Sequence, residues 1–200
     1  FMLETPEEAI DRIDDIGGPN SHANYPWGWA QAGNTPFKWY KQNTHEGGVH
    51  VPFILSWPGR VADPGGLRRQ FHHAVDVAPT IYDAIGIEPP ATYRGFEQIP
   101  IAGTSMLYTL DAPEEPTRKQ VQYFEMNGHR GIWNGEWKAV TRHTQNVPYD
   151  DDQWELYRVS EDFSECHDLA ASEPEKLKEM VDLWWAEARE HGVLPLDDRT

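Results

Sequence analysis

The residues best suited to chemistry lie in one short segment, where two lysines, a histidine and a glutamate precede a glycine pair. Lys41 follows Lys38 and stands five residues before Glu46, which leads directly into Gly47 and Gly48. A lysine ammonium is a compact point charge suited to a sulfate or phosphate oxygen. The glycine pair lets the backbone turn sharply and approach another group closely. An oxyanion site is therefore one interpretation of the segment, but exposed lysines before a strand are more commonly solvated loop residues.

Other reactive side chains give weaker signals. Cys166 is the single cysteine of the sequence, which excludes an intramolecular disulfide and a cysteine-based zinc site and favours a free thiol in a loop. His72 and His73 are adjacent, and adjacent strand residues point to opposite faces, so we do not expect them to share a metal ion. The aspartates at positions 150–152 lack the spacing and glycine of a calcium loop, which favours a solvated acidic turn.

The elements that must position the lysines are predicted to form an α/β layer. Residues 49–57 are an apolar run rich in strand formers, which predicts a buried strand. Residues 72–85 predict a strand end that becomes a helix near Asp76, and Gly86 is expected to end that helix. A strand followed by a helix is typical of α/β architecture.

The residues before the lysines are predicted to form a short helix and a loop. Thr5 and Glu8 have the spacing of a capping box, which predicts a helix start. Residues 20–36 show no periodic spacing of apolar residues that would indicate a helix or a strand. We therefore interpret them as a long irregular loop, and loops of this length are often functional. Trp27 and Trp29 in this loop are candidates to border a substrate pocket.

The pattern changes in the second half of the chain. Residues 121–126, 132–140 and 154–159 predict four short strands, because Asn134 and Gly135 are a strong hairpin signal inside the second of these segments. A second capping box at residues 172–175 predicts a helix. Its apolar face would be formed by Leu177, Met180, Val181, Trp184 and Ala188. We therefore predict one unit at residues 1–110 and a small antiparallel sheet with a helix at residues 111–200.

The charge of the chain limits its partners. It has 17 basic and 33 acidic residues and a net charge of −16, so we expect no nucleic-acid partner and no docking on anionic membranes. No apolar run approaches the ~20 residues of a bilayer span. The chain begins at Phe1 without a visible signal peptide, and we expect it to be part of a longer protein. Its location stays open between cytoplasm and periplasm.

The lysine region resembles a segment of the sulfatases, in which a lysine is followed by Glu-Gly-Gly-x-Arg-x-Pro. Here Lys41 precedes Glu46, Pro52 completes the pattern, and His50 stands where many members carry arginine. Further segments that resemble sulfatases follow in order at residues 73–81, 95–106, 131–140 and 154–170. Residues 25–30 and 184–199 are similar to bacterial arylsulfatases in particular.

This resemblance implies an alkaline-phosphatase-like mixed sheet layer, present in part, followed by a four-stranded antiparallel sheet with a C-terminal helix. It implies hydrolysis of a small-molecule sulfate ester by a formylglycine nucleophile on a divalent metal, usually calcium. It gives Lys41 the catalytic role of neutralising sulfate oxygens and charge on the leaving oxygen. Lys38 has no matching role, and we expect it to be solvated.

The family's Cys/Ser-x-Pro-x-Arg nucleophile motif and its metal-binding aspartates precede the lysine, so we expect them outside this chain. Cys166 is followed by His167 and Asp168 and does not match the motif. The chain would then bind no metal by itself, would need the N-terminal part of its own domain, and would be the inactive C-terminal part of an arylsulfatase. Two alternatives remain: a phosphonate or phosphate monoester hydrolase of the same superfamily, and a non-catalytic tryptophan-rich binding module.

Overall fold

The computed structural model describes residues 5–20 and 25–198. Within these residues lie five α-helices and six β-strands. The helices are α1 (Pro6–Asp11), α2 (Trp27–Asn34), α3 (Glu46–Val49), α4 (Val77–Ile85) and α5 (Pro174–Glu190). The strands are β1 (Thr92–Tyr93), β2 (Phe96–Glu97), β3 (Gln122–Met126), β4 (His129–Asn134), β5 (Trp137–Thr141) and β6 (Trp154–Arg158). Among the residues described, no helix combines the length and the apolar character that crossing a bilayer requires.

The last four strands form the predicted antiparallel sheet, in the order β3-β4-β5-β6. Asn127 and Gly128 join β3 to β4, and both have positive φ (53° and 81°), as the tightest hairpin turns require. Asn134 pairs with Trp137 across the next hairpin, where Gly135 has a φ of 63°. The predicted sheet and its hairpin are confirmed.

Helix α5 covers one face of this sheet, as its apolar spacing predicts. Met180, Trp184 and Ala188 have no exposed surface, and the Trp184 indole N–H donates to the Phe124 carbonyl oxygen at 3.0 Å. Side chains alternate between the two faces of a strand, so one residue in two along β4, β5 and β6 meets the helix. The sheet residues of this core are Ile132, Ala139 and Leu156.

The start of α5 differs from the predicted capping box. The Ser172 hydroxyl donates back to the Leu169 carbonyl oxygen at 3.1 Å, and Glu173 occupies the cap position without a side-chain hydrogen bond. Pro174 begins the helix with a fixed φ and no N–H that would need a partner. The second capping box is therefore wrong, although the helix that it predicts is present.

Helix α4 is confirmed, but the strand end predicted before it is a 3-10 turn at Ala74–Asp76. Gly86 ends α4 in the left-handed conformation, with a φ of 67°. A positive φ costs glycine little, which is why it commonly ends helices.

The buried strand predicted at residues 49–57 is wrong. Val49 ends α3, and residues 50–57 are irregular. Val51, Phe53 and Ile54 are 70%, 61% and 90% exposed. A strand needs neighbouring backbone to satisfy its N–H and C=O groups, and no described strand lies beside this segment. Within the described residues, this apolar segment therefore has no neighbouring strand with which it could form a sheet.

The N-terminal residues confirm one prediction and correct another. The capping box of α1 is present, because the Thr5 hydroxyl accepts from the Glu8 N–H at 3.2 Å and the Glu8 carboxylate accepts from the Thr5 N–H at 2.8 Å. The irregular loop predicted at residues 20–36 instead contains α2. Pro26 precedes this helix, which presents Trp27 and Trp29 to solvent.

Candidate functional site

The lysine turn, defined as residues 38–48, presents Lys41 to solvent. Trp39 and Gln42 adopt left-handed backbone conformations, with φ of 63° and 76°, which reverse the chain on either side of Lys41. The Lys41 side chain is exposed, and no described residue forms a hydrogen bond or an ion pair with its ammonium group. No described residue neutralises the Lys41 ammonium group, which is therefore available to bind an anion.

Gly47 and Gly48 are packed too closely for any larger residue. A Cβ at Gly47 would lie 2.0 Å from the Trp39 carbonyl oxygen, and one at Gly48 would lie 1.9 Å from the Asn43 carbonyl oxygen. The Asn34 amide at the end of α2 donates to the carbonyl oxygens of Trp39 and Gly47, at 2.7 Å each. The predicted close approach of the backbone is confirmed, and it fixes the path of the lysine turn.

Lys38 lies on the sheet and not in solvent. Its Nζ is 2.7 Å from Glu155 Oε2 and 2.7 Å from the Tyr157 hydroxyl. Glu155 and Tyr157 are two residues apart on β6, so they share the sheet face opposite α5. The prediction of a solvated Lys38 is wrong, because its carboxylate partner lies 117 residues further along the chain.

Glu155 collects three hydrogen-bond donors at this face. Besides the Lys38 ammonium, it contacts His45 Nε2 at 3.3 Å and accepts a hydrogen bond from the Tyr157 hydroxyl. Burial raises the pKa of Glu155, but the hydrogen bonds from His45, Lys38 and Tyr157 outweigh burial and hold this pKa well below its usual range. Burial and the adjacent carboxylate raise the pKa of Tyr157. At neutral pH the pair is therefore a carboxylate and a neutral hydroxyl.

A second ion cluster holds the far end of the lysine turn. Lys138 Nζ on β5 lies 2.6 Å from Glu46 Oε1 and 3.1 Å from Glu165 Oε1. The Glu46 backbone N–H also donates to Glu165 Oε2, at 2.8 Å. Lys138 is 0% and Glu165 1% exposed, so these charges are sealed from water. The sheet thus fixes the lysine turn through two ionic clusters.

His50, at the position where the resembled family carries arginine, belongs to the same cluster. Its Nδ1 lies 2.8 Å from Glu46 Oε2. Burial raises the pKa of Glu46, but the hydrogen bond from His50 and the Lys138 charge lower it to about 2. The same hydrogen bond raises the pKa of His50. His50 therefore serves the ion cluster beneath the turn.

The histidine pair before α4 surrounds a buried carboxylate. His72 Nδ1 lies 3.5 Å from Asp76 Oδ2, and the His73 backbone N–H donates to the same oxygen at 2.7 Å. Lys119 Nζ and the Thr104 N–H reach the other oxygen at 2.9 and 2.8 Å. Asp76 has no exposed surface; burial raises its pKa, but these hydrogen bonds hold it below the usual range. The cluster ties α4 to the segments that lead into β3.

The predicted solvated turn at residues 150–152 is wrong for Asp152. Its side chain is only 4% exposed, ion-paired with Arg130 and 2.9 Å from His143 Nδ1. The Arg130 guanidinium is enclosed by aromatic rings whose centroids lie 5.2–5.7 Å away, from Tyr149, Trp154, Trp184 and Trp185. Asp152 therefore neutralises a buried cation of the sheet.

The described residues do not fit a metal centre. Within residues 5–20 and 25–198, no group of three or more His, Cys, Asp or Glu side chains could hold a metal ion.

Contrary to the expectation that the nucleophile motif lies outside this chain, the sequence contains one literal match to it. Ser56, Pro58 and Arg60 have the spacing of Ser-x-Pro-x-Arg. Ser56 is exposed, and the Arg60 guanidinium is paired with Asp111 at 2.7 Å. The match also follows the lysine along the chain, whereas the resembled family carries its motif before the lysine. The order of the two segments therefore differs from that of the resembled family. The one cysteine, Cys166, is a free and exposed thiol, as predicted.

A cleft of about 730 Å³ lies behind the lysine turn, along the edge of β3. Its lining includes Asn43, Lys119 and Glu187. Trp27 and Trp29 are 74% and 67% exposed and are not part of this lining. The two tryptophans therefore lie on the exposed surface of α2 and do not border this cleft.

Comparison with known proteins places these elements in a family. The family model described as "N-sulphoglucosamine sulphohydrolase, C-terminal" matches residues 36–188, which include the lysine turn, the sheet and most of α5. An uncharacterised sulfatase of Schizosaccharomyces pombe is 27% identical over 202 residues, covering 99% of this chain and 36% of that protein. An arylsulfatase of Klebsiella aerogenes is 30% identical over 110 residues, covering 53% of this chain and 24% of that protein.

A solved structure gives the same result for the fold. The crystal structure of Ps i-CgsB superimposes with a TM-score of 0.63 at 23% identity, covering 84% of this chain and 35% of that one. The expected alkaline-phosphatase-like α/β fold, with its small antiparallel sheet and C-terminal helix, is confirmed. This chain spans only about a third of the S. pombe relative's length and about a quarter of the Klebsiella protein's. The family match, the fold and the ordered motifs agree: the chain belongs to the sulfatase family and corresponds to its C-terminal portion.

Proposed function

We propose that this chain is the C-terminal part of an arylsulfatase and supplies Lys41 to the site that hydrolyses a sulfate ester. The observation that carries the proposal is the Lys41 ammonium, exposed and without a described partner, on a turn that the sheet fixes. Lys38 cannot serve equally, because Glu155 already neutralises it. Membership of the sulfatase family favours a sulfate ester over other anions.

In this proposal Lys41 acts by electrostatic stabilisation. Negative charge grows on the leaving oxygen as the sulfur–oxygen bond breaks, and a fixed cation beside that oxygen lowers the barrier. A formylglycine nucleophile and a divalent metal would supply the attack on sulfur, from residues beyond those described here. The contribution of this chain is to hold one cation in place and keep the neighbouring lysine out of the site.

We also propose that the chain works within a longer protein, meaning a sulfatase that contains all of these residues. The two relatives are about two to three times as long as this chain, since the aligned 202 and 110 residues are 36% and 24% of their lengths. Residues 1–110 would belong to the catalytic domain, and residues 111–200 would form the smaller C-terminal domain. Calcium would be bound by the remainder of the longer protein.

The exposed apolar surface of the first half supports this need for a partner segment. Large side chains stand in solvent on residues 50–57, on α4 and on the loops that follow it. Examples from these segments are Val51, Phe53, Ile54, Phe96 and Ile99. Large apolar side chains exposed at neighbouring positions, as at Val51, Phe53 and Ile54, are usually covered by another part of the protein. We infer that the N-terminal part of the catalytic domain covers it.

The 200-residue chain by itself is therefore expected to self-associate and to bind a hydrophobic dye. Exposed apolar side chains drive association, although the net charge of −16 opposes it. Light scattering and dye fluorescence measure both effects, with the longer protein as the matched control. A monodisperse chain that binds no dye and unfolds cooperatively would contradict the proposed partner segment.

Turnover assays test the proposed function directly. The longer protein is expected to hydrolyse an aryl sulfate in a metal-dependent reaction, whereas the 200-residue chain alone is expected to be inactive. An aryl phosphate and an aryl phosphonate monoester serve as competing substrates, because the Lys41 charge suits any of these oxyanions.

The outcomes of these assays separate the alternatives. A preference for the phosphonate or phosphate ester would contradict the proposed sulfatase activity and favour a phosphonate or phosphate monoester hydrolase instead. Failure to hydrolyse any of the three esters would favour the non-catalytic binding module, for which the exposed Trp27 and Trp29 would be the contact residues. Activity of the isolated chain would show that the complete site lies within it.

A further inference from the structure

We propose that Glu155 is the positioning residue for Lys41, so that the C-terminal sheet forms part of the anion site. This inference rests on the proposed function, because it concerns how the cation of that site is held. Lys38 lies three residues before Lys41 and His45 four residues after it, and both contact the same oxygen, Oε2, of Glu155. One carboxylate therefore contacts the turn on both sides of the cation.

The contacts at Glu155 are short and partly shielded from water. Lys38 Nζ lies 2.7 Å from the carboxylate and from the Tyr157 hydroxyl, which itself donates to Glu155. His45 has no exposed surface, and the Glu155 side chain is 28% exposed. Hydrogen bonds are electrostatically stronger away from water. Loss of the Glu155 charge would therefore weaken the contacts on both sides of Lys41, while the Lys138 cluster would still hold Glu46.

The residues between these two ends have little freedom of their own. The Asn43 amide donates to the Tyr40 carbonyl oxygen at 3.0 Å, closing the turn from within. The Thr44 hydroxyl donates to the Arg130 carbonyl oxygen of β4 at 2.9 Å. Lys41 and Gln42 are the exposed residues of this otherwise fixed turn, so a shift at Glu155 would carry the Lys41 ammonium with it.

Glu155 also decides which lysine is available to an anion. It neutralises Lys38, which would otherwise be a second cation three residues away from Lys41. Without the carboxylate, Lys38 would compete for the sulfate group and draw it from its reactive position. Both effects act on the geometry of the reacting group, so we expect kcat to fall and not only KM to rise.

A double-mutant cycle in the longer protein tests the proposal, with para-nitrophenyl sulfate as substrate. Glu155→Gln keeps the shape of the side chain and removes its charge, and is expected to lower kcat by roughly 10- to 100-fold when Lys41 is present. In a Lys41→Ala background the same change is expected to alter kcat by no more than about twofold, because the cation to be positioned is gone. A merely structural glutamate would lower kcat by the same factor in both backgrounds.

Two further variants keep the cycle decisive. Tyr157→Phe removes the hydroxyl between Lys38 and Glu155 but keeps both charges, and should give a smaller loss that also disappears without Lys41. Tyr157→Phe takes the place of Glu155→Gln in the cycle if thermal denaturation shows that the Glu155→Gln variant does not fold. Glu136→Gln changes an exposed glutamate in the turn between β4 and β5 and should leave kcat unchanged in both backgrounds.

The results distinguish this inference from the function on which it rests. Equal losses with and without Lys41, or a Glu155→Gln enzyme with normal kcat, would overturn the positioning role alone. A longer protein that hydrolyses no sulfate ester would overturn the proposed function and this inference with it. A loss that depends on Lys41 supports both.

Discussion

Replacing Lys41 with alanine in the longer protein is expected to lower kcat for an aryl sulfate by about 10²–10³-fold. The structure leaves this ammonium exposed and without a described partner, so its charge is available to the sulfate oxygens. Charge that grows in the transition state is stabilised more than charge in the bound ester, so the loss should fall on kcat. Steady-state kinetics of the purified variant measure the effect.

The matched control for this experiment is Lys178→Ala. Lys178 is an exposed lysine of α5, paired at 2.5 Å with Asp182 one helical turn later. It has the same chemistry as Lys41 but lies on the helix, away from the lysine turn, and its loss should leave kcat unchanged. A Lys41 variant with normal kinetics would remove the lysine turn from the active site, and the proposed role of Lys41 would fall.

Replacing Lys138 with methionine is expected to lower the free energy of unfolding by about 3–5 kcal/mol, because it leaves buried carboxylates without their cation. Lys138 joins Glu46 of the lysine turn to Glu165, and neither Lys138 nor Glu165 has appreciable exposed surface. Methionine fills similar space, so lost charge pairing and not a cavity would dominate. Urea denaturation of the longer protein, followed by tryptophan fluorescence, measures the change.

Two companion variants define the cause of that destabilisation. Adding Glu165→Gln to Lys138→Met should restore part of the lost stability, because it removes one of the unpaired charges. Lys176→Met, which breaks an ion pair with the largely exposed Glu179, should cost no more than about 1 kcal/mol. If Lys138→Met were as mild as Lys176→Met, the cluster would not fix the lysine turn to the sheet.

The sequence by itself determined the elements whose hydrogen bonds and packing are local. Gly135 signals the hairpin of β4 and β5, because its place in the turn has a positive φ of 63°, whereas Asn134 is the last residue of β4. The apolar face of α5 is visible because its residues recur at helical spacing, and the sheet core meets Trp184 as expected. Gly47 and Gly48 likewise signal a close backbone approach, and the spacing of Lys41 from them carries the family resemblance.

Only the tertiary structure decided which charges meet, because their partners are distant in the sequence. Lys38 and Glu155 are separated by 117 residues, and Lys138 and Glu46 by 92, so no local pattern distinguishes a docked lysine from a solvated one. Asp152 is buried because Arg130 lies beneath it, although its neighbours suggest an exposed turn. Residues 50–57 have a strand's composition but no neighbouring strand among the described residues, and a strand exists only where another backbone completes its hydrogen bonds.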